Sequence, residues 1–67
     1  MDITVNGATR SVPESATVAS LVVALVGPVQ DGIAIALNGT VLPRTSWAGQ
    51  AVREGDRLDV VRALQGG

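Results

Sequence analysis

The 67-residue chain has no cysteine, no histidine and no lysine, and Trp47 is its only aromatic residue. Without cysteine there is neither a disulfide staple nor a thiolate metal site. Without histidine the commonest metal ligand and general base is missing, so serine–histidine and cysteine–histidine catalysis are excluded. Charge is sparse as well. Five arginines and six acidic residues give a formal net charge of -1. The arginines are scattered and a single aromatic offers no stacking platform, so no nucleic-acid partner is expected. Long apolar runs are also missing. The longest, residues 21–26, falls far short of the ~20 residues that span a bilayer, and Met1-Asp2-Ile3 lacks the basic start of a secretory signal. The expectation is a soluble, cytoplasmic protein with no membrane contact.

What is present is apolar content in short, patterned segments. Hydrophobic residues make up 46% of the chain, enough for one core in a domain that buries only about 60% of its unfolded surface. A single domain is expected.

Ile3 and Val5 alternate with Asp2, Thr4 and Asn6, and Asn6-Gly7 then supplies a two-residue hairpin turn, with Arg10, Ser11 and Val12 returning. Pro13 cannot donate to a ladder and closes the second strand. Thr17 is an N-cap, and Val18, Leu21, Val22 and Leu25 follow at the i, i+3, i+4, i+7 spacing of one helical face, stopped by Gly27 and Pro28. Residues 33–37 are continuously apolar, with large Ile33, Ile35 and Leu37 on one face and small Ala34 and Ala36 on the other, the pattern of an interior strand. Asn38-Gly39 turns the chain back through Val41 and Leu42 to Pro43, and residues 46–51 form an irregular link. The Glu54-Gly55-Asp56 turn leads into a last strand in which Leu58 and Val60 alternate with Asp59 and Val61. This order of elements is an α+β layout, with the first and last strands paired in parallel through the helical crossover. The predicted core joins Val18, Leu21, Val22 and Leu25 to Ile3, Val5, Ile33, Ile35, Leu58 and Val60.

Few residues invite a chemical reading. Trp47 sits among aliphatic residues and reads as packing. Glu54, Asp56 and Asp59 belong to or adjoin a turn, where carboxylates are usually solvated, and no metal site is expected. Arg44, Arg57 and Arg62 are available to acidic partners or are simply solubilising. Val61 points away from the helix by strand alternation and lies close to Arg62, Ala63 and Leu64, which makes this end a candidate docking surface. Residues 63–67 are short, end in Gly66-Gly67 and have little to hold them down, so a mobile tail is expected.

Taken together, Val5-Asn6-Gly7, Thr17-Val18, Ile33-Ala34-Ile35-Ala36-Leu37-Asn38-Gly39, Val41-Leu42-Pro43-Arg44, Trp47, Glu54-Gly55-Asp56-Arg57 and Val60-Val61-Arg62-Ala63-Leu64-Gln65-Gly66-Gly67 resemble the ThiS family, the sulfur carriers of thiamin biosynthesis. The resemblance covers essentially the whole chain. It implies a ubiquitin-like β-grasp fold: a mixed four- to five-stranded sheet with one main helix on one face, a body over residues 1–62 and a flexible tail over 63–67. It implies a carrier rather than an enzyme. Gly67 would be the site of adenylation and thiocarboxylate formation, Gly66, Gln65 and Leu64 would thread the partner's channel, and Val61, Arg62 and Ala63 would dock. The implied partners are an E1-like, ThiF-like adenylating enzyme that uses ATP and magnesium, a ThiG-like thiazole synthase, and a sulfur donor such as a cysteine desulfurase. No cofactor is expected on the chain itself.

Three other readings stay open. The small subunit of molybdopterin synthase shares the fold and tail, although Val41-Leu42-Pro43-Arg44 and Arg62-Ala63-Leu64-Gln65 look more like the thiamin branch. A ubiquitin-like modifier would join Gly67 to lysines, and this chain has none of its own. A passive interaction module would use no chemistry at the tail.

Overall fold

The computed structural model describes residues 1–62, and residues 63–67 lie outside it. The first hairpin joins β1 (Asp2–Val5) to β2 (Ala8–Ser11). The turn between them needs two residues at positive φ, and Asn6 (φ 49°) and Gly7 (φ 85°) supply them. A single helix, α1 (Val18–Val26), follows, then β3 (Ile33–Leu37), β4 (Thr40–Leu42), a 3-10 helix over Arg44–Gly49 and β5 (Arg57–Arg62). Asn38 (φ 51°) and Gly39 (φ 84°) repeat the positive-φ pair between β3 and β4.

The five strands form one mixed sheet in the order β2-β1-β5-β3-β4. The outer pairs and β3–β5 are antiparallel, whereas the central β1–β5 pair is parallel, with Val5 opposite Leu58. A parallel pair cannot be closed by a tight turn, and α1 lies within the crossover that joins these strands.

α1 starts where the sequence placed it. Thr17 Oγ1 accepts from the Ser20 N–H at 3.1 Å and the Thr17 N–H donates to Ser20 Oγ at 2.9 Å, a reciprocal cap. Gly27 ends the helix at φ 93°, its N–H bonded to the Val23 carbonyl. Val18, Leu21 and Val22 are buried from the helix side, and Ile3, Val5, Ile35 and Leu58 from the sheet.

The core differs from the periodic pattern in two ways. Leu25, Ile33 and Val60 are half-buried at its rim, while Ala16, Trp47 and Val52 lie fully inside. Residues 46–51 are not simply an irregular link, because the 3-10 helix carries Trp47 inward and its indole N–H donates to the Leu42 carbonyl at 3.1 Å. The segment after it is tied to the helix start by Val18 N–H to Gln50 O (2.9 Å) and Val52 N–H to Ala16 O (3.1 Å). These bonds close the side of the core that the sheet leaves open, and they satisfy backbone groups that burial would otherwise strand.

Candidate functional site

β5 is the strand that leads to the C-terminal residues, and it is held from both sides. On one side β3 pairs with it from Leu37↔Leu58 to Ile33↔Arg62. On the other, β1 reaches only to Leu58 before turning away. Both Asn-Gly turns also reach this strand through asparagine side chains. Asn38 Oδ1 accepts from the Arg57 N–H at 2.8 Å, and Asn6 Oδ1 accepts from the Val60 N–H at 2.8 Å. The sequence marked both pairs as turns but gave no sign of these long-range bonds.

Alternation along β5 sends Leu58 and Val60 toward α1 and Val61 to the open sheet face. Val61 is 58% exposed. Its cross-strand neighbour is Ala34, and Ala36 on the same face stands opposite Val41, itself exposed. Val61, Ala34, Ala36 and Val41 therefore share the open face, where Ala36 also stands opposite Asp59 of β5. Ala34 and Ala36 were visible in the sequence as the small face of a strand, but Val41 joins them only through the β3–β4 register. Of the proposed docking residues, Val61 and Arg62 fall on opposite sheet faces, both exposed. Ala63, Leu64, Gln65, Gly66 and Gly67 lie outside the described residues.

The polar side chains singled out in the sequence are tied into the fold. Asp56 accepts from Asn38 Nδ2 with one oxygen and from the Arg53 N–H with the other. Glu54 Oε1 accepts from the Asp2 N–H at 3.0 Å. Asp59 lies 3.4 Å from Arg57 in an exposed pair that contributes little to stability. Arg44 covers the Trp47 ring at 5.7 Å and reaches Gln30. Trp47 itself is 3% exposed and offers no ring face for a ligand. Among the described residues no cluster of carboxylates has the make-up of a metal site, and no helix is long and apolar enough to cross a membrane. The surface depressions, one beside Asn38 and Asp56 and one between the helix end and Arg10, are open to solvent.

The sequence profile of the ThiS family matches residues 3–67, through Gly66 and Gly67. The chain belongs to the ThiS family. Solved structures agree with that assignment. The crystal structure of a thiamine biosynthesis protein (ThiS) from Geobacter metallireducens superposes with a TM-score of 0.85 at 33% identity, covering 100% of both chains. A solution NMR structure of a thiamine biosynthesis protein from the same organism gives 0.82 at 33% identity, covering 100% of this chain and 88% of the other. No curated protein sequence matches the chain significantly. Five strands and one main helix in this arrangement are the ubiquitin-like β-grasp of ThiS.

Proposed function

We propose that this ThiS-family chain is a sulfur carrier in thiamin biosynthesis, a protein co-substrate rather than an enzyme, with a body over residues 1–62 and its working segment at 63–67. The observation that carries the reading is the family match running through Gly66-Gly67, a few residues beyond β5, which is held on both sides as far as Val60.

In this reading the Gly67 carboxylate, an anion at neutral pH, attacks the α-phosphorus of ATP on an E1-like, ThiF-like enzyme. Pyrophosphate leaves, and an acyl adenylate remains. Sulfide displaces AMP and leaves a thiocarboxylate directly; a persulfide from a donor such as a cysteine desulfurase displaces AMP to give an acyl disulfide, which a thiol then cleaves to the thiocarboxylate, the thiol and the donor sulfur ending as a disulfide. That group then gives its sulfur to a ThiG-like thiazole synthase. ATP and magnesium belong to the activating enzyme, and the carrier contributes reach and fit. Gln65, Leu64 and the two glycines enter the channel, where the lack of Cβ atoms at 66 and 67 permits close passage. The Val61, Ala34, Ala36 and Val41 patch faces the partner, since it begins at the strand that delivers the tail; Arg62 and Ala63 complete the contact.

Intact-mass analysis of the protein purified from its own cells tests this. A fraction carrying one sulfur in place of one oxygen, localised to Gly67 by fragmentation, is the expected result. Its absence from cells actively making thiamin would overturn the proposal.

A further inference from the structure

Val60 sits where the sheet changes character. Up to Leu58, β5 has a strand on each side, but beyond it β1 turns off into its hairpin. The N–H and C=O of Val60 that face β1 have thereby lost their strand partner.

Asn6 takes its place. Its Oδ1 accepts from the Val60 N–H at 2.8 Å, its Nδ2 donates to the Val60 carbonyl at 3.2 Å, and its own N–H donates to the Leu58 carbonyl at 3.0 Å. A primary amide holds donor and acceptor side by side, as a peptide group would in the next rung of the ladder. The side chain thus adds one rung that the backbone, turning at φ 49°, cannot make. The second Asn-Gly turn provides an internal comparison. Asn38 also holds both backbone groups of one residue, its Oδ1 accepting from the Arg57 N–H and its backbone N–H donating to the Arg57 carbonyl, but its Nδ2 goes to the Asp56 carboxylate. Among the described residues, only Asn6 takes both polar groups of one β5 residue with its amide. After Val60, β5 continues with ladder support from β3 alone, through Ala34↔Val61 and Ile33↔Arg62.

We propose that Asn6 is a positioning residue for the reactive tail: by clamping both backbone groups of Val60 it fixes, together with β3, the end of β5 from which the chain continues to residues 63–67. The proposal rests on the carrier reading. Glycine also accepts the positive φ of this turn but carries no side-chain amide.

That difference supplies the experiment. Asn6→Gly keeps the positive φ and removes the amide. Asn6→Asp keeps the side-chain shape and the acceptor for the Val60 N–H but loses the donor. Each is assayed with the wild type in ATP–pyrophosphate exchange with the cognate adenylating enzyme, and by amide hydrogen exchange. Asn6→Gly is expected to lower kcat at saturating carrier about 10-fold or more, with KM for the carrier nearly unchanged, because misplacement by ~1 Å can cost ~10²-fold. Asn6→Asp should fall between it and the wild type. The Val60 amide should exchange faster in Asn6→Gly while Leu58 and Ile35 stay protected. A turn-forming role alone would leave the kcat of Asn6→Gly at the wild-type value, and that result overturns the proposal. A change confined to KM would also overturn it, by making Asn6 a contact residue. If the wild type itself supports no exchange, the carrier reading fails first, and the positioning role falls with it.

Discussion

Val61 stands directly opposite Ala34 across the β3–β5 ladder, and the methyl of the alanine is too short to cover it. An exposed valine on the strand that leads to the tail is therefore the centre of the proposed contact. Val61→Asp should change the unfolding free energy little, since exposed substitutions usually stay within about 0.5 kcal/mol. It should raise the Kd for the adenylating enzyme about 10-fold or more, because a charge would be buried without a partner. Val61→Thr, which keeps the β-branch, should do less. Titration calorimetry with both variants checks this, and wild-type affinity for the aspartate variant would move the contact elsewhere.

The core makes a separate demand. Ile35 and Leu21 are 1% and 5% exposed on facing layers. Replacing either with alanine is expected to cost about 2–5 kcal/mol, a large share of the stability of a domain this small. Leu25→Ala, at the rim, should cost less. Urea unfolding of the three variants measures the order directly.

Thr17→Ala removes the acceptor for the Ser20 N–H from a nine-residue helix. Such a short helix depends on its cap and its packing. A loss of about 1 kcal/mol is expected, by the same unfolding assay. A loss below a few tenths would show that the bonds between residues 16–18 and 50–52 hold the helix start unaided.

At the C-terminus, three variants separate length, identity and bulk. Deleting Gly67 shortens the reach by about 3.3–3.6 Å. Adding a residue after Gly67 makes the wrong carboxylate terminal, and Gly66→Val restricts φ and adds volume at full length. All three should unfold like the wild type, and ATP–pyrophosphate exchange should drop by ~10²-fold or more. Normal exchange by the extended variant would refute the chemistry assigned to Gly67 and favour a passive binding module.

Much of the fold was legible because local rules carry it. The i, i+3, i+4 spacing after Thr17, the two Asn-Gly turns and the alternation around Leu58 each depend on neighbours in sequence. The segment from Arg44 to Val52 was not legible. A 3-10 helix has no long apolar period, and the burial of Val52 depends on a bond to Ala16, far earlier in the chain. The same reason hid the asparagine clamp: Asn6 and Val60 are 54 positions apart. At the candidate site, Val61 could be placed outward by counting, whereas its sharing a face with Val41 required the sheet register.

The parallel contact between β1 and β5 has a consequence for biosynthesis. The strands that meet there are separated in sequence by every other element of the sheet and by α1, so Val5 has no Leu58 to meet until all of these have been made. Long-range pairing of this kind is slow to nucleate, and a partly made chain has a helix and two hairpins but no middle to join them. A chain cut short before β5 therefore lacks the one parallel contact that joins its two hairpins into a single sheet.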